Sequence, residues 1–236
     1  MRDSSFEDTI PAVGFPVFRD RREAGRRLGA KLASYSDRSD VVVLGIPRGG
    51  VPVAFEVAAA LDAPLDVFLV RKLGAPRQEE LAMGAIASGG VRTLNPSVIE
   101  SMRISTEEIE RVAQREEKEL RRRELSYRGE RPPLDLDGRI AILVDDGLAT
   151  GSSMRAAVGA VRKLRPARIV VAVPVAPPTT AREMRRIVDD LVCVATPEPF
   201  YSVGRFYESF DQTTDAEVRE LLRRSAAAPV REAQKK

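Results

Sequence analysis

Two adjacent carboxylates, Asp145 and Asp146, close an apolar run over 141–144, and the small residues Ala149, Thr150, Gly151, Ser152 and Ser153 follow them closely. A helical pattern starts at that point. Apolar run, acidic pair, small-residue loop and helix together describe a buried parallel strand, a turn at its carboxyl end and a helix N-terminus. Small residues let a backbone close tightly on a ligand. The unpaired N–H groups of a helix start, with the hydroxyls of Thr150, Ser152 and Ser153, suit a phosphate. The carboxylates would repel that phosphate. They suit a group that offers donors or a cation, such as ribose hydroxyls or Mg²⁺. A phosphate site and a diol site side by side describe a ribose phosphate.

Three further segments carry chemistry. Arg48, Gly49 and Gly50 follow the apolar run 41–46 and precede a helix. Exposed glycine amides and a guanidinium fork make a second anion cradle there, against the plainer reading of a tight βα turn. Arg71 and Lys72 follow the apolar stretch 65–70, and two cations on one rim would face the same polyanion; the plainer reading is an exposed charge pair. Phe200, Tyr201, Phe206 and Tyr207 gather four rings in eight residues of a chain without Trp. They would offer a planar base a stacking face, or else pack the C-terminal helix onto the sheet.

The elements that must hold these groups are legible as an alternation of strand and helix. Residues 1–17 read as an irregular arm. Asp20 and Glu23 read as a capping box opening a helix over 20–35. Strands are predicted at 41–46 and 65–70, with Pro52 in the first turn of a helix over 52–62. Residues 73–81 read as a polar, mobile loop, and 82–87 with 91–94 as a hairpin closed by Gly89-Gly90. A short helix at 96–103 and a charged helix from the Ser105/Glu108 capping box to Tyr127 come next, with a thin apolar stripe of Ile109, Val112 and Leu120. Strands at 140–146, 168–175 and 191–197 then alternate with helices at 151–164 and 178–189, and Thr214/Glu217 opens a last helix over 214–225, before a frayed tail from Ala226. Such alternation implies a parallel α/β sheet covered on both faces, with ligands outside the carboxyl ends of its strands.

Composition removes whole classes of function. The chain has 236 residues, 43% hydrophobic and 31% charged, which fits one decorated α/β domain with a proper core. It contains no His, which excludes a Ser-His-Asp triad, a Cys-His pair and any His-ligated metal. Cys193 is the one cysteine, so no intrachain disulfide forms; its apolar neighbours predict a core position. A net charge of +3 is too small to argue for a nucleic-acid surface. No apolar run nears the ~20 residues of a membrane span, and the polar start does not read as a signal peptide, so the expected compartment is the cytoplasm.

The segment from Asp145-Asp146 to Ala149-Thr150-Gly151-Ser152-Ser153 resembles the PRPP-binding signature of the type I phosphoribosyltransferases, where PRPP is 5-phosphoribosyl 1-pyrophosphate. It departs from the usual Ala-Thr-Gly-Gly-Thr at the last two positions. Pro-Arg-Gly-Gly at 47–50, Arg-Lys-Leu-Gly at 71–74, Tyr-Arg-Gly at 127–129 and the aromatic run extend the likeness from about Phe18 to Leu222, within one branch of that family. The resemblance implies a type I phosphoribosyltransferase fold: one domain over 1–236, a central mostly parallel sheet flanked by helices, a helical insertion at about 96–130, and a small hood at about 198–212, to which the N-terminal arm is a further candidate. It implies transfer of the 5-phosphoribosyl group from Mg²⁺-PRPP to a nitrogenous base, releasing pyrophosphate. Residues 149–153 would hold the 5′-phosphate. Arg48, Gly49, Gly50, Arg71 and Lys72 would face the pyrophosphate, and residues 73–81 would close over PRPP. Asp145 and Asp146 would hold the ribose hydroxyls, and no side chain would bind the metal directly. A homodimer is the implied assembly. A non-catalytic sensor of PRPP or nucleotide on the same fold is the alternative reading.

Overall fold

A computed structural model describes residues 17–129 and 131–227. Residues 1–16 of the arm predicted over 1–17 and the end of the predicted tail lie outside the described residues. Among the described residues five strands form a parallel sheet: β1 (Val41–Gly45), β2 (Leu65–Val67), β6 (Ile140–Val144), β7 (Arg168–Val175) and β8 (Asp190–Ala195), in the order β2-β1-β6-β7-β8. A separate antiparallel ribbon contains β3 (Val70–Ala75), β4 (Gln78–Ala87) and β5 (Val91–Leu94). The helices are α1 (Arg21–Lys31), α2 (Gly50–Leu61), α3 (Pro96–Met102), α4 (Thr106–Arg128), α5 (Ser152–Lys163), α6 (Pro178–Arg185) and α7 (Asp215–Ala227).

Strands β1 and β6 are buried along their whole length, as continuous apolar runs require of central parallel strands. Their side chains alternate between two cores. Val41, Val43, Ile140 and Ile142 join Leu28, Val53 and Leu221 on the side of α1, α2 and α7. Val42, Leu44, Ala141 and Leu143 join Met154, Val158 and Met184 on the side of α5 and α6. Helix α1 lies close on α2. A Cβ on Gly25 or Gly29 would sit 2.7 Å from the Val53 carbonyl or the Ala60 methyl respectively. The lack of a side chain at these two positions is what lets α1 pack this closely on α2.

Several predicted boundaries change. The parallel strand predicted over 65–70 ends at Val67; Phe68 and Leu69 are buried in the corner, and the chain enters the ribbon at Val70. Residues 73–81 are therefore not a loop but the end of β3, a tight turn at Pro76-Arg77 and the start of β4. Helix α6 stops at Arg185 rather than 189. Asp20 caps α1 by accepting from the Glu23 amide at 2.8 Å, while the Glu23 carboxylate takes the Arg19 amide at 3.3 Å, so the capping box is not reciprocal. The box at Ser105 and Glu108 is complete.

Cys193 lies in β8, its thiol directed at the Ala195 carbonyl 3.1 Å away, and burial pushes that thiol up to about 11. Since the thiolate is the reacting form, a thiol reagent at mildly alkaline pH should label the native protein slowly and the denatured protein quickly. Equal rates with and without denaturant would show the thiol to be open.

Candidate active site

The pairing of β1 with β6 sets the geometry. Gly45 stands opposite Val144, and the Ile46 amide continues the ladder to the Val144 carbonyl at 2.9 Å. The two strands end together, so residues 46–50 and 145–151 leave the sheet side by side. The Leu148 amide bonds the Val175 carbonyl at 2.9 Å, which runs the second segment along the end of β7.

The contact between these segments is close. A Cβ on Gly49 would lie 2.0 Å from Asp146 Oδ2, and one on Gly50 would lie 2.6 Å from the Val144 carbonyl and 2.8 Å from Asp145 Cα. The two glycines read as a phosphate cradle thus also have a packing reason, since only glycine lets the first loop rest on the acidic pair. The Pro47–Arg48 peptide is cis. Arg48 points to Asp215 at the start of α7, 3.8 Å away, and Asp215 also accepts from the Tyr127 hydroxyl at 2.6 Å. Burial, helped by that bond, pushes the Tyr127 hydroxyl up to about 12.

Asp145 accepts the Asp146 amide at 2.9 Å. Asp146 Oδ2 receives two guanidinium nitrogens of Arg21, Nε and Nη2, each at 2.8 Å. Burial raises both carboxyls. Asp145 stands well above the usual range because the neighbouring charge of Asp146 adds to burial, whereas Arg21 offsets part of the effect at Asp146. Asp146 is therefore the member of the pair that ionises first. Arg21 escaped the sequence reading. It sits among several arginines at a helix start, 125 residues from its partner, and nothing local marks it.

Beyond the pair, Ala149 and Thr150 are exposed, and Gly151 has φ +72°, the left-handed region that favours glycine. Helix α5 begins at Ser152. Thr150 Oγ1 lies 3.1 Å from Ser152 Oγ and accepts the Ser152 amide at 3.4 Å. Thr180 donates to the Ala149 carbonyl at 2.9 Å, and Arg155 folds back to donate to the Thr150 carbonyl. The loop is thus pinned from α5 and α6, with the Thr150 and Ser152 hydroxyls side by side at the start of α5. Ser153 is exposed beside them.

Arg71 and Lys72 do not end a parallel strand. Both lie in β3, and both have carboxylate partners. Arg71 meets Glu116 of α4 at 2.6 Å, and Lys72 meets the exposed Glu80 at 3.2 Å. Glu116 is buried within the apolar stripe of α4, as the counter-charge for Arg71.

The aromatic run divides. Tyr207 is buried, its hydroxyl donating to the Asp146 carbonyl at 2.6 Å and its ring between Phe18 and Phe210 at 5.3 and 5.0 Å. A base would find no open face there; the ring holds the acidic turn instead. Phe200 and Phe206 pack on each other at 5.0 Å, and Tyr201 is 72% exposed with Arg205 over its ring. The side chain against Gly147 is Val203, which the sequence reading passed over. A cavity of about 220 Å³ opens elsewhere, lined by Asp20, Arg21, Pro52, Asp211, Thr213 and Glu217. Neither the small-residue loop nor Asp145 and Asp146 lines it.

The family model described as "Phosphoribosyl transferase domain" matches residues 20–204. A Mycobacterium tuberculosis relative named "Putative phosphoribosyl transferase Rv0571c" is 46% identical over 209 residues, which are 89% of this chain and 47% of that protein. The chain spans about half the length of the curated relatives it matches first. The "Bifunctional protein PyrR" of Chloroflexus aurantiacus is 35% identical over 131 residues, 54% of this chain and 66% of that protein. Among solved structures, that of TT1426 from Thermus thermophilus is 44% identical with a TM-score of 0.77, covering 87% of this chain and 97% of that one.

Proposed function

The chain belongs to the phosphoribosyl transferase domain family, and from that premise we propose that it transfers the 5-phosphoribosyl group of Mg²⁺-PRPP to a nitrogenous base, with release of pyrophosphate. The observation that carries the reading is the juxtaposition of the acidic pair with the loop 149–153 at the carboxyl end of β6. Anion donors and anionic acceptors stand a few residues apart, as a ribose phosphate needs.

In this reading the amides and hydroxyls of 149–153 hold the 5′-phosphate, and the α5 N-terminus adds about 0.3–1 kcal/mol toward an anion. Asp146 accepts from the ribose hydroxyls, and Asp145 supports it through the Asp146 amide. As the bond to the leaving pyrophosphate lengthens, positive charge grows on the ribose, and the acidic pair stabilises it by preorganised electrostatics rather than by covalent chemistry. Arg48 with the amide of Gly49 takes the pyrophosphate, the Gly50 amide being spent on the Ile46 carbonyl at 3.1 Å. Lys72, half exposed and bonded to the carboxylate and carbonyl of Glu80, is the less buried of the two ribbon cations, while Arg71 is fixed by Glu116. Mg²⁺ brought with the substrate would supply charge neutralisation at the leaving pyrophosphate, and no side chain of this chain is assigned to hold it. Among the described residues no three His, Cys, Asp or Glu groups come together to hold a metal by themselves. Phe200, Tyr201 and Phe206 are the rings left for the base. No helix among the described residues is long and apolar enough to cross a membrane.

The test is a panel of purine and pyrimidine bases with Mg²⁺-PRPP, read as pyrophosphate release. Turnover with one base supports the transferase. PRPP binding with no release from any base supports the sensor. The phosphate site has its own test in Gly151→Ala. An L-residue at φ +72° costs about 1 kcal/mol, and the new methyl meets Thr180 Cγ2 at 3.0 Å. Ribose 5-phosphate should raise the Tm of the wild type and not of this variant. Equal stabilisation of both would place the phosphate elsewhere.

A further inference from the structure

We propose that Arg21 is the positioning residue of the ribose site: it fixes the Asp146 carboxylate from behind and ties it to the hood. The inference rests on the assignment of Asp146 to the ribose.

The geometry is that of a three-way clamp. Arg21 Nε and Nη2 both fall on Asp146 Oδ2, at 2.8 Å, and none of the described hydrogen bonds falls on Oδ1. Arg21 Nη1 donates to the Asp211 carbonyl at 2.7 Å, and the guanidinium carbon stands 3.8 Å over the Phe210 ring. The side chains of Arg21 and Asp146 are 12% and 16% exposed, so the pair is little screened by water. The hood closes the same circuit through the Tyr207 hydroxyl on the Asp146 carbonyl and the Tyr207 ring against Phe210. One guanidinium therefore joins the α1 N-terminus, the acidic turn and the hood.

The charges facing Asp146 are few. Asp145 adjoins it on the same turn, Arg21 comes from α1, and the neutral Tyr207 hydroxyl comes from the hood, with Glu23 of α1 in the field of Tyr207. The loop over 46–50 offers Gly49, while its Arg48 is turned to Asp215. Arg21 is thus the one described cation in direct contact. Burial alone favours the protonated acid, which donates to a hydroxyl rather than accepting from two. Arg21 opposes that protonation and prevents rotation of the carboxylate. A lysine would supply the charge without the two-pronged grip.

The experiment compares wild type, Arg21→Gln, Arg21→Lys, Asp146→Asn and the double variant Arg21→Gln/Asp146→Asn. Carboxyl ¹³C NMR of Asp-labelled protein gives the Asp146 titration midpoint, assigned by its loss in Asp146→Asn. Calorimetry gives PRPP affinity across pH. In Arg21→Gln the midpoint should move up, and affinity at neutral pH should fall about tenfold or more and recover as pH rises. Arg21→Lys should lie between, and it carries the test if Arg21→Gln does not fold. In the Asp146→Asn background, removing Arg21 should change affinity less than about twofold, because its effect passes through Asp146. An unmoved midpoint, or an equal loss in the Asp146→Asn background, would overturn the proposal. Absence of PRPP binding in the wild type would instead remove the ribose assignment, and the midpoint would still decide whether Arg21 controls Asp146.

Discussion

Gly49→Ala should abolish measurable PRPP binding in a protein that still folds. The backbone at Gly49 has φ −62° and ψ −31°, which alanine adopts without strain, so the effect is one of space alone. The added methyl would stand 2.0 Å from Asp146 Oδ2 and 2.8 Å from its Cγ. The carboxylate must leave its place against the hydrogen bond from Arg21 Nε and the ion contact from its Nη2. Misplacing a positioned group by about 1 Å costs about a hundredfold. Gly50→Ala is the control. Its methyl meets the Val144 carbonyl and Asp145 Cα, both backbone, so α2 must lift from β6. Overpacking of that kind costs about 1–3 kcal/mol. Urea titration should show a lower midpoint for both variants, since Gly49→Ala strains the Arg21–Asp146 pair and Gly50→Ala a backbone contact, while calorimetry shows PRPP lost from Gly49→Ala. A Gly49→Ala protein that binds PRPP as wild type does would show that the loop tolerates a side chain and that the contact with Asp146 is incidental.

How much of this was legible in the chain depends on the range of the interactions involved. β1, β6 and β7 announced themselves because a strand buried on both faces needs an unbroken apolar run. The corner at Phe68 and Leu69 did not, because both residues are buried in the turn and continue the run without Gly or Pro to mark the break. Gln78, Glu79 and Glu80 read as loop because they are polar. They are strand residues exposed at the tip of a ribbon, where pairing with β3 needs no apolar face. In α4 the stripe of Ile109, Ala113, Leu120 and Tyr127 was partly visible, but Glu116 within it was not, since a buried carboxylate is explained only by Arg71 from another element. At the site, the acidic pair and the small-residue loop are contiguous and were read directly. Arg21, Val203 and the clamping role of Tyr207 arise from contacts made across the fold, which spacing along the chain does not encode.

The acidic pair itself should respond asymmetrically to neutralisation. Asp146→Asn removes the anion that accepts from the ribose hydroxyls, a loss of roughly 1.5–3 kcal/mol, or about ten- to a hundredfold in PRPP affinity. It also takes from the guanidinium of Arg21, little exposed, its close counter-charge, leaving a neutral amide oxygen in that place beside the surviving Asp211 carbonyl and Phe210 ring. Stability should fall by about 1–3 kcal/mol, less than for a fully orphaned buried charge because those two contacts survive. Asp145→Asn should do the opposite to stability. Its amide oxygen can still accept the Asp146 N–H, while burial and then the charge of Asp146 hold the native carboxyl well above its ordinary range. A carboxyl whose pKa is higher folded than unfolded binds more protons in the native state. Its contribution to stability is full at acid pH, below the unfolded value, and is lost as pH rises through the folded value. As pH rises above the unfolded value the wild type progressively loses that contribution, and Asp145→Asn removes the cause. The variant should be more stable by roughly 0.5–2 kcal/mol, as is common when a functional site's built-in penalty is relieved. Its stability should also vary less with pH above the ordinary carboxylate range, and PRPP affinity should fall. Thermal melts of both variants across pH, with calorimetry at neutral pH, give all four quantities. Asp145→Asn as unstable as Asp146→Asn would mean that Asp145 is held as a paired anion, and the division of the pair into one charged and one supporting member would have to be abandoned.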